Sequence, residues 1–190
     1  MHEIEPFYRW EKYYLPFDDE NAPFFGHQSN FQQYTNDIYG YYIHPSWDYI
    51  GSETLYIKLI FAEYNAGVAI IEMIGEWNDT LHNDIMFLKR QVIDRLVKKG
   101  ISKFILIGEN VFNFHGSDDS YYEEWFEDVE NGWIAAINFR EFVQDEWKKY
   151  NIDWYVNFGG ALDTVNWRTL KPQVLFNKID DLIIKRIELH

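Results

Sequence analysis

The chain has 190 residues, enough for one domain with a sizeable core, and its 47% hydrophobic and 25% charged content is that of a folded protein rather than a disordered or fibrous one. Thirty-one acidic against seventeen basic side chains leave a formal net charge of −14, which excludes nucleic acid and anionic membranes as main partners by repulsion. Without cysteine there is no disulfide framework, zinc ribbon or thiol chemistry, no apolar run approaches the ~18 residues of a membrane span, and Met1-His2-Glu3-Ile4-Glu5-Pro6 lacks a signal-peptide profile, so the cytoplasm is the expected compartment.

Residues 1–50 hold 15 of the 37 aromatic side chains and four of the five prolines. So much aromatic area is costly to leave in water, and residues 1–35 are therefore expected to form an arm packed on the domain that follows, residues 36–190. The segment 38–43 (IYGYYI) reads as a short strand ended by Pro45. Residues 55–64 (LYIKLIFAEY) and 68–74 (VAIIEMI) flank Asn65-Ala66-Gly67, which predicts a hairpin.

The period then changes. Ile85, Leu88, Val92, Ile93, Leu96 and Val97 share one helical face, with Asn78, Asp79 and Thr80 as cap candidates and Gly100 as the stop. Residues 104–107 (FILI) read as a buried strand and 118–131 as a helix with Tyr121, Tyr122, Trp125, Phe126 and Val129 inward. Residues 133–139 (WIAAINF) read as a strand, and 141–150 as a helix with Phe142, Val143 and Trp147 inward. A last strand is expected at 154–158 (WYVNF), before a helix beginning near Pro172. Strands alternating with helices predict a single α/β domain: a mixed, mostly parallel sheet with an antiparallel hairpin edge, flanked by helices.

Three stretches resemble the STAS domain, the fold of anti-sigma-factor antagonists and of the cytoplasmic tails of sulfate transporters. Residues 68–79 (VAIIEMIGEWND) look like its second strand, closing in a glycine and a polar pair. Residues 97–107 (VKKGISKFILI) look like its basic helix end and the strand that follows, and 137–156 like its last crossover. The likeness spans about residues 55–158 and implies a regulatory protein-binding module. The family's loop after the third strand carries Asp-Ser-Ser-Gly, whose second serine is phosphorylated. Here the loop reads Phe114-His115-Gly116-Ser117-Asp118-Asp119-Ser120, so Ser117 and then Ser120 are the positional candidates. A phosphate there would meet Asp118, Asp119, Glu123, Glu124, Glu127, Asp128 and Glu130 with no basic residue among them; the helix already carries the charge that phosphorylation would add.

Two functions follow as expectations. The first is a non-enzymatic regulatory or interaction module, using Ser117, Ser120, Glu123, Glu124, Glu127 and Asp128 against a basic surface, its partner another protein or a second copy of itself, with no cofactor. The alternative uses the C-terminal ends of the strands, where open α/β sheets place ligands. There Glu76, Asp79, Glu109 and Asp118 are candidate ligands for Mg²⁺ or Ca²⁺, with His115 as acid/base and Arg140 as anion clamp for an anionic small molecule. No histidine pair has zinc spacing, Ser117 lies in no nucleophile elbow, and neither a P-loop nor a dinucleotide fingerprint is present.

Overall fold

The structure is a computed structural model describing residues 2–27 and 37–188. Its centre is a five-stranded sheet in the order β4-β5-β6-β7-β8: Asp48–Tyr49, Leu55–Glu63, Val68–Asn78, Lys103–His115 and Trp133–Ile137. The β4/β5 and β5/β6 ladders are antiparallel; β6/β7 and β7/β8 are parallel. The mixed α/β sheet is thus as read from the sequence. The hairpin turn falls at Tyr64–Gly67, where Gly67 takes φ +66°, a conformation open to glycine.

Almost every residue of β6 and β8 is buried, because both faces of the sheet are covered. One face carries α1 (Asp84–Leu88), a π-turn (Lys89–Ile93) and α2 (Asp94–Val97) as one continuous helical segment, followed by α3 (Ser120–Asp128) and α4 (Glu141–Lys149). The other carries α5 (Pro172–Glu188), short 3₁₀ turns, and Phe7 and Trp10 of the N-terminal segment. Phe7, Trp10 and Trp167 meet edge to face at 4.8–5.6 Å. Trp10 donates its indole N–H to the Leu170 carbonyl. Residues 28–35 of the expected arm lie outside the described residues.

Four expectations are corrected. Residues 38–43 are not one strand: β2 (Asp37–Ile38) turns at Tyr39-Gly40, both with positive φ, into β3 (Tyr41–Ile43). With β1 (His2–Ile4) these form a second sheet in the order β1-β3-β2. Strand β7 does not stop at Ile107. It continues to His115, because Val111 and Phe114 bury on the helix-covered face while the register slips past a bulge against β6. Glu109, Asn110, Asn113 and His115 are therefore strand residues rather than loop residues.

Phe142 faces outward at 45% exposure, and Gln144 takes the inward position beside Val143 and Trp147. The last predicted strand is replaced by a 3₁₀ turn, Ile152–Trp154, and a single bridge between Ala135 and Asn157. Val156 is buried while Trp154 is 71% exposed, so the run shares no buried face along its length. No helix of the described residues is long and apolar enough to cross a membrane.

Candidate interaction surface

Helix α3 has three sides with three fates. Tyr122 and Trp125 point inward: the Tyr122 hydroxyl donates to Asp79 Oδ2 at 2.6 Å, and Trp125 meets Phe104 edge to face at 5.2 Å. The second side, Glu124 and Asp128, leans on the π-turn. There the fully buried Lys89 donates from Nζ to Asp128 Oδ2 at 2.5 Å, to Glu124 Oε1 at 3.2 Å and to Asp94. Arg90 adds a two-pronged contact to Glu124 at 2.5 and 2.8 Å. Burial alone would pull the Lys89 pKa down, but the three carboxylates outweigh it and the ammonium is held above its usual range. The Arg90 hydrogen bond keeps the Glu124 carboxyl low.

The third side is free. Glu123, Glu127 and Glu130 are exposed and ion-pair with no described residue. Phe126, expected inward, instead lies outside the core at 46% exposure, 5.9 Å from the Tyr155 ring, because Tyr122, Trp125 and Val129 fill the buried side. The Tyr155 phenol sits above its usual range through partial burial and the charges of Glu123 and Asp119, which puts this ring among the carboxylates. The result is an aromatic strip rimmed by uncompensated negative charge. Of the residues expected on this face, Glu123 and Glu127 lie on its open side, whereas Glu124 and Asp128 are tied to Lys89.

The loop before α3 is also settled by hydrogen bonds. Ser120 is the first residue of the helix, and both its N–H, at 3.0 Å, and its hydroxyl donate to Asp118 Oδ1. Those bonds hold the Asp118 carboxyl below its usual range. Ser117 is exposed two residues ahead of Asp119, which precedes the helix without a side-chain capping bond.

The four carboxylates suggested as metal ligands do not share a centre. Asp79 is buried on the helix side, accepting from Trp77 Nε1, the Ile85 N–H and Tyr122. Glu109 faces the other side of the sheet, accepting from Trp167 Nε1 at 2.7 Å, Asn138 Nδ2 at 2.9 Å and Arg168 Nη2 at 2.9 Å. Glu76 accepts from Tyr39 and Asn78, and Asp118 stays in its loop. His115 Nε2 lies 3.3 Å from Glu76 and 3.0 Å from Asn113 Nδ2. Arg140 sits over the Phe112 ring across a shallow cavity of about 500 Å³. Among the described residues the one trio of ligand-bearing side chains within 4.8 Å is Asp94, Glu124 and Asp128, and the Lys89 ammonium already occupies its middle.

Sequence reasoning missed three things. Lys89 reads as one more polar helix position. Trp154 and Tyr155 were assigned to a strand. Glu72, alone in the apolar run Val68–Ile74, carried a visible signal, since a carboxylate in a buried strand needs partners. It has them in the Phe7 N–H at 2.7 Å and Arg168 Nη2 at 3.2 Å.

Fold and surface together define an acidic α/β protein built on a five-stranded mixed sheet, with the outer face of α3 left uncompensated. No protein-family model matches the chain, and no curated protein matches it in sequence. Solved structures resemble part of the chain, two of them as follows. One is the Bacillus cell fate determinant SpoIIAA in its phosphorylated form, at TM-score 0.38 and 9% identity over 55% of this chain and 92% of that one. The other is the anti-sigma factor antagonist SpoIIAA in its unphosphorylated form, at TM-score 0.40 and 9% identity over 56% of this chain and 89% of that one. Both likenesses cover little more than half of this chain.

Proposed function

We propose that the protein is a non-enzymatic regulatory module of the cytoplasm that docks the outer face of α3 on a basic surface of another protein. The observation that carries the reading is the pairing of free Glu123 and Glu127 with exposed Phe126 and the Tyr155 ring beside it. Aromatic rings supply contact area and attract cations through their faces, and rim carboxylates steer a positively charged partner into register. A net charge of −14 makes a basic partner the one that is attracted from a distance.

The test compares two double variants with the same change in net charge. Glu123→Lys with Glu127→Lys reverses the proposed face; Glu20→Lys with Glu53→Lys reverses exposed charges elsewhere. A partner captured from native lysate is identified, purified and titrated against each. The first pair is expected to weaken binding about tenfold or more, ~1.4 kcal/mol, and the second to leave it nearly unchanged. Equal effects from both pairs would reduce the interaction to bulk charge and remove the docking face.

A further inference from the structure

At the edge of the five-stranded sheet, β4 covers only Tyr56 and Ile57 of β5, so among the described residues no strand lies beside β5 from Lys58 onward. The N-terminal segment runs over that edge without closing on it, leaving a cavity of about 770 Å³. That volume lies in the range of sites that enclose small molecules, about 300–1,000 Å³. Its walls are built in advance: Asp19 Oδ2 accepts from the hydroxyls of both Tyr14, at 2.8 Å, and Tyr64, at 2.6 Å, and Gly26 N–H closes on the Phe17 carbonyl at 2.9 Å. Most of the lining is apolar or aromatic.

One end is polar. Asp48 is 4% exposed, and its Oδ2 makes no hydrogen bond. The Lys58 ammonium lies 3.1 Å from that oxygen as an ion pair, but off hydrogen-bonding geometry, and 3.4 Å from Oδ1. His27 is 3.9 Å from Asp48 Oδ1, and His44 is 3.8 Å from Glu5. Glu5 and Glu11 complete the charged groups around the cavity. Lys58 offsets Asp48, which leaves two carboxylates in excess, and the aromatic faces add to the preference for a cation.

We propose that this cavity binds a small amphipathic amine, its apolar or aromatic body held by Phe7, Tyr14, Phe17 and Phe24 and its ammonium directed to the polar end, where Glu5 and Glu11 are in excess and the buried Asp48 Oδ2 lacks a hydrogen bond. The buried acceptor is the specificity element: a donor-bearing head satisfies it, whereas a carboxylate head of the same size leaves it unsatisfied and adds like charge.

Isothermal titration calorimetry with 2-(1-naphthyl)ethylamine and with 1-naphthylacetate tests this, since the two share a body and differ in head charge. The amine is expected to bind one to one, at least tenfold tighter than the acetate. Asp48→Asn should cut the amine's affinity about tenfold and erase that difference. Because Asp48 is buried beside Lys58, a second variant, Ser46→Trp, fills the cavity from its half-buried wall and should abolish binding of both probes while leaving the thermal midpoint of the free protein unchanged. Equal affinity for the two probes, no saturable binding of the amine at millimolar concentration, or full binding by the Ser46→Trp variant would each overturn the assignment.

Discussion

At the scale of single residues, buried charge does most to set this protein's behaviour. Lys89 has no exposed side-chain surface, yet its three carboxylate partners are partly exposed. Removing it leaves Asp94, Glu124 and Asp128 facing one another with only Arg90 between them. Lys89→Met is expected to cost about 2 kcal/mol in urea unfolding, below the 3–5 kcal/mol of a fully buried pair because water screens the remaining carboxylates. Glu72 and Asp79 give a pH dependence of definite sign. Burial raises the carboxyl of each to about 7 from usual values of 4.5 and 3.8. A raised acid holds its proton more tightly in the folded state, so its contribution is complete below the unfolded pKa, declines as pH rises, and is gone above about 7. Stability measured by urea at pH 5 and pH 8 should therefore fall more for the parent protein than for Glu72→Gln. The gap is on the order of 3 kcal/mol at most, since one pKa unit is ~1.4 kcal/mol.

At the scale of elements, the strands are held to their register by a bulge and by tight backbone contacts. Gly75 takes φ +118° in β6, and a Cβ there would stand 2.0 Å from the Thr54 carbonyl oxygen, the same oxygen that accepts the Glu76 N–H at 2.9 Å. Gly75→Ala is expected to cost about 3 kcal/mol or more, read as a lower unfolding midpoint, because backbone strain and overlap act together. The hairpin, the helix at 84–97, β8 and α5 were legible because their apolar residues repeat at the periods of strand or helix. The second half of β7 was not, since its apolar pattern is broken by polar residues such as Glu109, whose partners Trp167 and Arg168 come from a remote segment. Likewise the acidic face of α3 was visible as composition. Its division into a side fixed by Lys89 and a side left open depends on how two helices lie together, which no local pattern records.

At the scale of the whole molecule, the sheet is covered on one side by helices from the middle of the chain and on the other by its two ends. Trp10 is 2% exposed among Phe7 and Trp167. Trp10→Ala is expected to destabilise the fold by about 3–5 kcal/mol, as loss of a core tryptophan does, with a fall in midpoint to match. The two proposed surfaces lie on separate parts of this architecture, α3 on the helix face and the cavity at the edge of β5, so variants in one should leave binding at the other intact. The contact between Trp10 and Leu170 spans 160 positions in the chain. Trp10 thus has part of its berth made by residues that lie 160 positions further along the chain. Until those residues are in place Phe7 and Trp10 lack the Trp167 ring and the Leu170 carbonyl, and their docking belongs to the late side of the folding barrier. A conservative change such as Trp10→Phe should accordingly quicken unfolding while leaving the refolding rate almost untouched.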